Sequence, residues 1–116
     1  MPEQVELLER LYHRFNARDM ESLLAALHPD VVWANRMERG YLYGREPVRS
    51  YWTRQWAMAN PPVEPVEFAS DLGGMIYVEA HELVHDLNST LVTDEMESHV
   101  LRIEDGLIKR FDIRGA

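Results

Sequence analysis

The chain has 116 residues, 46% hydrophobic and 28% charged, a composition that fits one soluble domain spanning 1–116. It has a formal net charge of -8, no standout basic patch and no cysteine, which argues against a nucleic-acid partner and excludes disulfides and thiol chemistry. No apolar run approaches the roughly 20 residues that span a bilayer, and the opening "MPEQVELLER" is charged and periodic, so no membrane partner and a cytoplasmic location are expected.

Val5, Leu8, Leu11, Tyr12 and Phe15 recur at helical spacing and predict a first helix over 3–17. Asp19 can cap a second, "MESLLAAL", with Met20, Leu23, Leu24 and Leu27 turned inward and Pro29 ending it. "PDVVWAN", residues 29–35, then reads as a strand, because Val31, Val32 and Trp33 are good strand formers. Strand alternation puts Val31, Trp33 and Asn35 on one face. Asn is a poor strand residue, so a carboxamide beside an indole on the buried side calls for a reason. It is either a hydrogen-bonding group in a pocket or a strand-end cap.

Residues 36–44 read as a loop or small hairpin. Pro47 suits a first helical position, and Val48, Tyr51, Trp52, Gln55 and Trp56 form a helical stripe that "NPP" at 60–62 terminates. The second half is a run of strands. "VEPVEFASD" carries prolines that suit an edge, and "LGG" at 72–74 is a turn. "TLVTDEMESHVLRI" is a long strand, "EDG" a hairpin turn and "LIKRFDIR" the last strand. Helices first and a meander second argue for an α+β fold, with helices on one face of a bent antiparallel sheet.

The segment "MIYVEAHELVHDL" contains HELVH at 81–85, the pattern of zinc metalloproteases. On a helix, His81 and His85 would stack one turn apart and bind zinc at about 2.0–2.1 Å, with Glu82 as base and Glu104 as a third ligand. On a strand, the same two positions lie about 13 Å apart and cannot share an ion. Flanking turn signals and the neighbouring strand's need for a partner favour the strand. A zinc metallohydrolase is therefore a minor alternative, and neither metal nor cofactor is expected.

Taken in order, "ELLERLYHRFNARDMESLLAALHPDVVW", "GREPVRSYW" and "HVLRIEDGLIKRFDI" resemble the nuclear transport factor 2-like superfamily, in particular its SnoaL-like and ketosteroid-isomerase-like members. The resemblance covers essentially the whole chain. It implies three N-terminal helices packed in the concavity of a strongly curved mixed or antiparallel sheet, a cone around an apolar pocket. Such proteins include isomerases, cyclases, epoxide hydrolases, dehydratases and non-catalytic binders, so the fold does not fix the function.

The resemblance also suggests roles. The Trp33/Asn35 face would line the cone. Asn35 matches the aspartate base of ketosteroid isomerases, His99 falls near their oxyanion-hole acid, and Leu11 stands where they have a tyrosine, with Tyr12 about 100° round the helix. Trp33-x-Asn35 is similar to the aromatic-x-Asn pair that holds a water in epoxide hydrolases. Their Arg-x-Asp strand falls near Ala80 and Glu82, and their second Asp on Ile113. Glu82 could replace one acid; the arginine and the other acid have no counterpart, so neither catalytic set is complete.

The expected catalytic residues are Asn35, His99 and Glu82. An inward Glu82 would be a candidate base, whereas an outward one is a solvated surface group. Trp33, Tyr51, Trp52, Gln55, Trp56 and Leu101 are the expected pocket lining, although aromatics at these spacings also serve as plain core. The expected ligand is a small apolar or aromatic molecule, specifically an oxygenated ring compound. The expected function is isomerisation, cyclisation or hydration of it; the alternative is a non-catalytic binding or dimerisation module. Family members commonly pair through the outer sheet face, which implies a homodimer with Val100 at the contact beside exposed Arg102.

Overall fold

The computed structural model describes residues 2–36, 38–58, 63–70 and 75–114. The expected "NPP" and "LGG" breaks lie outside these residues. In chain order the elements are α1 (Pro2–Asn16), α2 (Met20–Ala25), β1 (Leu27–Ala34), β2 (Tyr41–Tyr43), α3 (Arg45–Met58), β3 (Val63–Ser70), β4 (Met75–His85), β5 (Leu91–Glu104) and β6 (Leu107–Arg114). None of the described helices is long and apolar enough to cross a membrane.

The strands form one curved, open sheet in the order β2-β1-β6-β5-β4-β3. Its ladders are antiparallel except at β1 and β6, which run parallel. The sheet is therefore mixed, and the expected α+β cone is the observed architecture. The Asp105–Gly106 turn between β5 and β6 has positive φ at both residues, 55° and 74°, as a type I′ hairpin requires. Edge strand β3 accommodates Pro65, where the ladder to β4 slips register.

Two boundaries differ from the sequence reading. Pro29 does not end α2. That helix stops at Ala25, and the chain enters β1 directly at Leu27. Pro29 is tolerated inside β1 because the β1–β6 register breaks between Leu27 and Val32, leaving no ladder bond for it to disrupt. Helix α3 starts at Arg45, so Pro47 is its third residue, still in the first turn where a missing N–H costs nothing.

Tertiary hydrogen bonds fasten the helices to the sheet. The Asn16 carboxamide donates to the Val63 carbonyl at 2.9 Å and accepts from the Val63 N–H at 2.8 Å, copying a ladder pair. Arg45 donates from Nε and Nη2 to the Leu27 carbonyl at 2.8 and 2.5 Å. Between these anchors lies a core that includes Leu8, Leu23, Val31, Val48, Trp52, Ile76, Val78, Leu101 and Ile108.

Candidate functional site

The concave face of the sheet and the helices line a half-open cavity of about 70 Å³. A water needs about 10–15 Å³ of such space, so the cavity holds a few waters or one small ring. Much of its wall is aromatic. Trp33 stacks on Phe111 with ring centroids 4.1 Å apart and meets Trp52 edge-on at 5.2 Å. Phe15 packs edge-on against Trp52 at 6.1 Å.

One side of the lining is polar. β-alternation on β4 buries Ile76, Val78, Ala80 and Glu82 in turn, and Glu82 emerges on the cavity wall. The same period on β5 turns Glu97 and His99 inward with Leu101. From β4, Glu82 lies opposite Glu95, and Ala80 lies opposite Glu97. Two carboxylates from adjacent strands thus reach the same region.

Arg36, in the loop after β1, bridges them. Its Nη1 donates to Glu82 Oε2 at 2.6 Å and also contacts Glu97 Oε2, while Nη2 lies 3.5 Å from the more exposed Glu95. The Arg36 backbone N–H donates to the Tyr51 hydroxyl at 3.3 Å, tying the loop to α3. On the other side of Glu97, its Oε1 lies 3.0 Å from His99 Nε2, and His99 Nδ1 lies 2.6 Å from the Tyr12 hydroxyl. A continuous polar chain results: Tyr12, His99, Glu97, Arg36, Glu82.

Charge fixes the direction of these bonds. Glu97 is ion-paired and accepts, so His99 Nε2–H donates to it and Nδ1 is left to accept the Tyr12 O–H. Burial agrees with that assignment. It pushes His99 down from 6.5 to about 4, against the opposing pull of Glu82, and pushes the Tyr12 phenol well above its ordinary 10. Tyr51 is raised as well, mainly by burial. His99 is thus neutral near pH 7 and hydrogen-bonded between a phenol and a carboxylate. A hydroxyl or water next to Tyr12 could pass a proton along the path Tyr12–His99–Glu97.

The His99 shift has a measurable consequence. Between pH 6.5 and about 4 the unfolded chain binds a proton at His99 that the fold rejects. Stability from this group is therefore complete above pH 6.5 and declines as pH falls towards 4, by about 2–3 kcal/mol. Denaturation of the wild type and His99→Gln at a series of pH values checks this. The variant should lack that part of the slope; identical slopes would contradict it.

Of the residues singled out from sequence, Trp33, Tyr51, Trp52, Gln55, Glu82 and His99 stand on the cavity wall. Asn35, Trp56 and Leu101 are not among its described lining residues. Asn35 falls just beyond β1, where its side-chain oxygen accepts the Glu38 N–H at 3.0 Å and its N–H donates to the Gly40 carbonyl at 2.9 Å. Both contacts fit the strand-end reading of this carboxamide. Trp56 packs behind Trp52 with a buried Nε1–H that has no partner among the described residues. Leu101 is fully buried in the core.

Three polar wall residues, Tyr12, Glu97 and Arg36, are not among the site residues expected from sequence. Tyr12 was counted in the apolar stripe of α1, yet both it and Leu11 reach the cavity. Glu97 was legible in principle, being two residues before His99 on a strand. Arg36 carried no signal, because nothing in the sequence fixes where its loop folds. The HELVH segment lies wholly within strand β4, so its histidines are not one helical turn apart. His81 faces away from Glu82 and pairs through Nε2 with Asp94 Oδ1 at 2.6 Å. The zinc metallohydrolase geometry is not formed.

Three helices seated in a curved open sheet around an apolar cavity are the architecture of nuclear transport factor 2-like proteins. Within that class the chain belongs to the SnoaL-like domain family, whose model matches residues 8–111. A nuclear transport factor 2-like protein of unknown function from Burkholderia pseudomallei superposes with a TM-score of 0.86 at 24% identity, covering 100% of this chain and 92% of the other. An epoxide hydrolase from Mycobacterium tuberculosis gives 0.82 at 18%, covering 97% and 82%. A second M. tuberculosis protein, solved with estradiol-17β-hemisuccinate, gives 0.84 at 16%, covering 98% and 94%. At these identities the likeness is one of fold. A comparison with curated proteins finds no match.

Proposed function

We propose that this SnoaL-like domain binds a small, apolar, oxygenated ring compound and moves a proton on it, as an isomerase, cyclase or hydratase does. The observation that carries the reading is the polar chain from Tyr12 to Glu82 along one side of an otherwise aromatic cavity. Pockets of this composition orient a ligand with a few convergent polar groups. In the proposal the Tyr12 oxygen receives the substrate hydroxyl or a water. His99 relays the proton to Glu97, and Glu82 orients the far side of the ligand. Arg36 holds both acids in place, and Asn35 is a positioning residue that keeps the Arg36 loop closed. The resemblance to epoxide hydrolases gains a point here, because an acid–arginine–acid group exists although its arginine comes from a different element.

The test is binding of a ring ketone or alcohol, read by quenching of tryptophan fluorescence. Tyr12→Phe should weaken such ligands by about 1–3 kcal/mol more than a hydrocarbon of the same size, the cost of an unpaired buried polar group. Equal losses, or no binding by any ring compound, would sink the reading. One observation favours a second reading, a binding module without turnover: both His99 nitrogens are already engaged. Exchange of the α-protons of a bound ring ketone in D₂O separates the two, since only the catalytic reading predicts exchange that Tyr12→Phe slows.

The homodimer is also proposed. Val100 is only 5% exposed in the single chain and has little area to offer. Met96, 46% exposed on the same outward face of β5, is the better contact. Light scattering at micromolar concentration should give twice the chain mass; a monomer would refute it.

A further inference from the structure

We infer that the ligand of this cavity carries a positive charge on nitrogen, as a small alkyl- or cycloalkylammonium ion. The inference rests on the reading of the cavity as a ligand site and adds a charged nitrogen to the chemistry that site would take. It starts from a charge count. Glu82 and Glu97 are each 8% exposed, and Arg36 is the one Arg or Lys among the described lining residues. Arg36 also shares its guanidinium with a third carboxylate, Glu95. His99, desolvated between Tyr12 and Glu97, adds no positive charge near neutral pH. The wall therefore holds an excess of negative charge where burial makes unpaired charge costly.

The remaining wall suits the same ligand. Phe15, Trp33, Tyr51, Trp52 and Phe111 surround the space with aromatic rings. Ring faces attract ammonium groups, most strongly where water is excluded. A neutral ligand would meet the rings but leave the excess charge, and an anion would add to it. The cavity's about 70 Å³ fits a small cation or a single ring bearing one. The net charge of -8 favours approach of cations to the molecule as a whole.

Cyclohexylammonium and cyclohexanol are nearly the same size and test the point at neutral pH by calorimetry on the full chain. The ammonium ion should bind at least about tenfold more tightly. Glu82→Gln should remove most of that advantage, weakening the ammonium ion by a larger factor than it weakens cyclohexanol. Glu97→Gln serves as the second variant, with circular dichroism to show that each is folded. Cyclohexanol binding as tightly as the ammonium ion would overturn the inference and leave the proposed function standing. Binding of neither would overturn both. An ammonium advantage that persists undiminished in both variants would also overturn it, since the carboxylates would not be its source.

Discussion

Arg36→Met is expected to destabilise the protein by about 3–4 kcal/mol, the lower part of the range for breaking a buried ion pair. Arg36 is the cation facing Glu82 and Glu97, and both acids lie in the wall with side-chain exposures of 10% and 8%. Its own side chain is 34% exposed, so water replaces part of what the guanidinium supplies, which sets the estimate below the maximum. The loss comes from the acids left behind more than from the missing contacts. A triple variant, Arg36→Met with Glu82→Gln and Glu97→Gln, should therefore regain most of it. Urea unfolding of the three proteins decides. An Arg36→Met protein within about 0.5 kcal/mol of wild type would mean the pair contributes little.

Trp52→Ala is expected to cost more, about 4–5 kcal/mol, at the top of the range for emptying an aromatic site. Trp52 is 1% exposed and touches Trp33, Phe15 and Trp56 with its ring. Its loss would leave a hole continuous with the cavity, and the rings around it are held by β1, α1 and α3 and cannot all close in. For a domain with about 5–15 kcal/mol in hand, much of the native population near body temperature would be lost. Thermal unfolding followed by near-ultraviolet dichroism would show a large drop in midpoint. A drop of only a few degrees would mean the cavity collapses around the missing ring.

The helices, strands and edge position of β3 were legible because each rests on a local period or breaker. Val48, Tyr51, Trp52 and Trp56 recur on one side of a helix, and Asp105–Gly106 is a turn that few other pairs can make. The parallel pairing of β1 with β6 was not legible, since nothing local to either strand names a partner so distant in sequence. The site divides in the same way. Strand alternation alone puts His99 on the face of Leu101 and would have put Glu97 there too, but on β4 it leaves open whether His81 or Glu82 turns inward. It does not extend to Asn35, because β1 ends at Ala34 and alternation no longer applies beyond it. Arg36 could not be found, because a loop residue's side chain is positioned by whichever elements happen to surround it.

The Tyr12–His99 bond spans 87 positions of sequence, and β1 meets β6 across most of the chain. Both depend on closing a long stretch of chain, an entropic cost that must be met before either contact forms. The β3–β4–β5 meander, by contrast, closes through short connections and costs less entropy to form. Folding should accordingly be slow for a domain of this size, with β3, β4 and β5 assembling early and the docking of β1 on β6 forming late. Until that step the Trp33 face stays wet and Tyr12 has no histidine to meet. The cavity is then the last part of the molecule to come into being, since its walls meet only when β1 docks on β6 and α1 on the sheet.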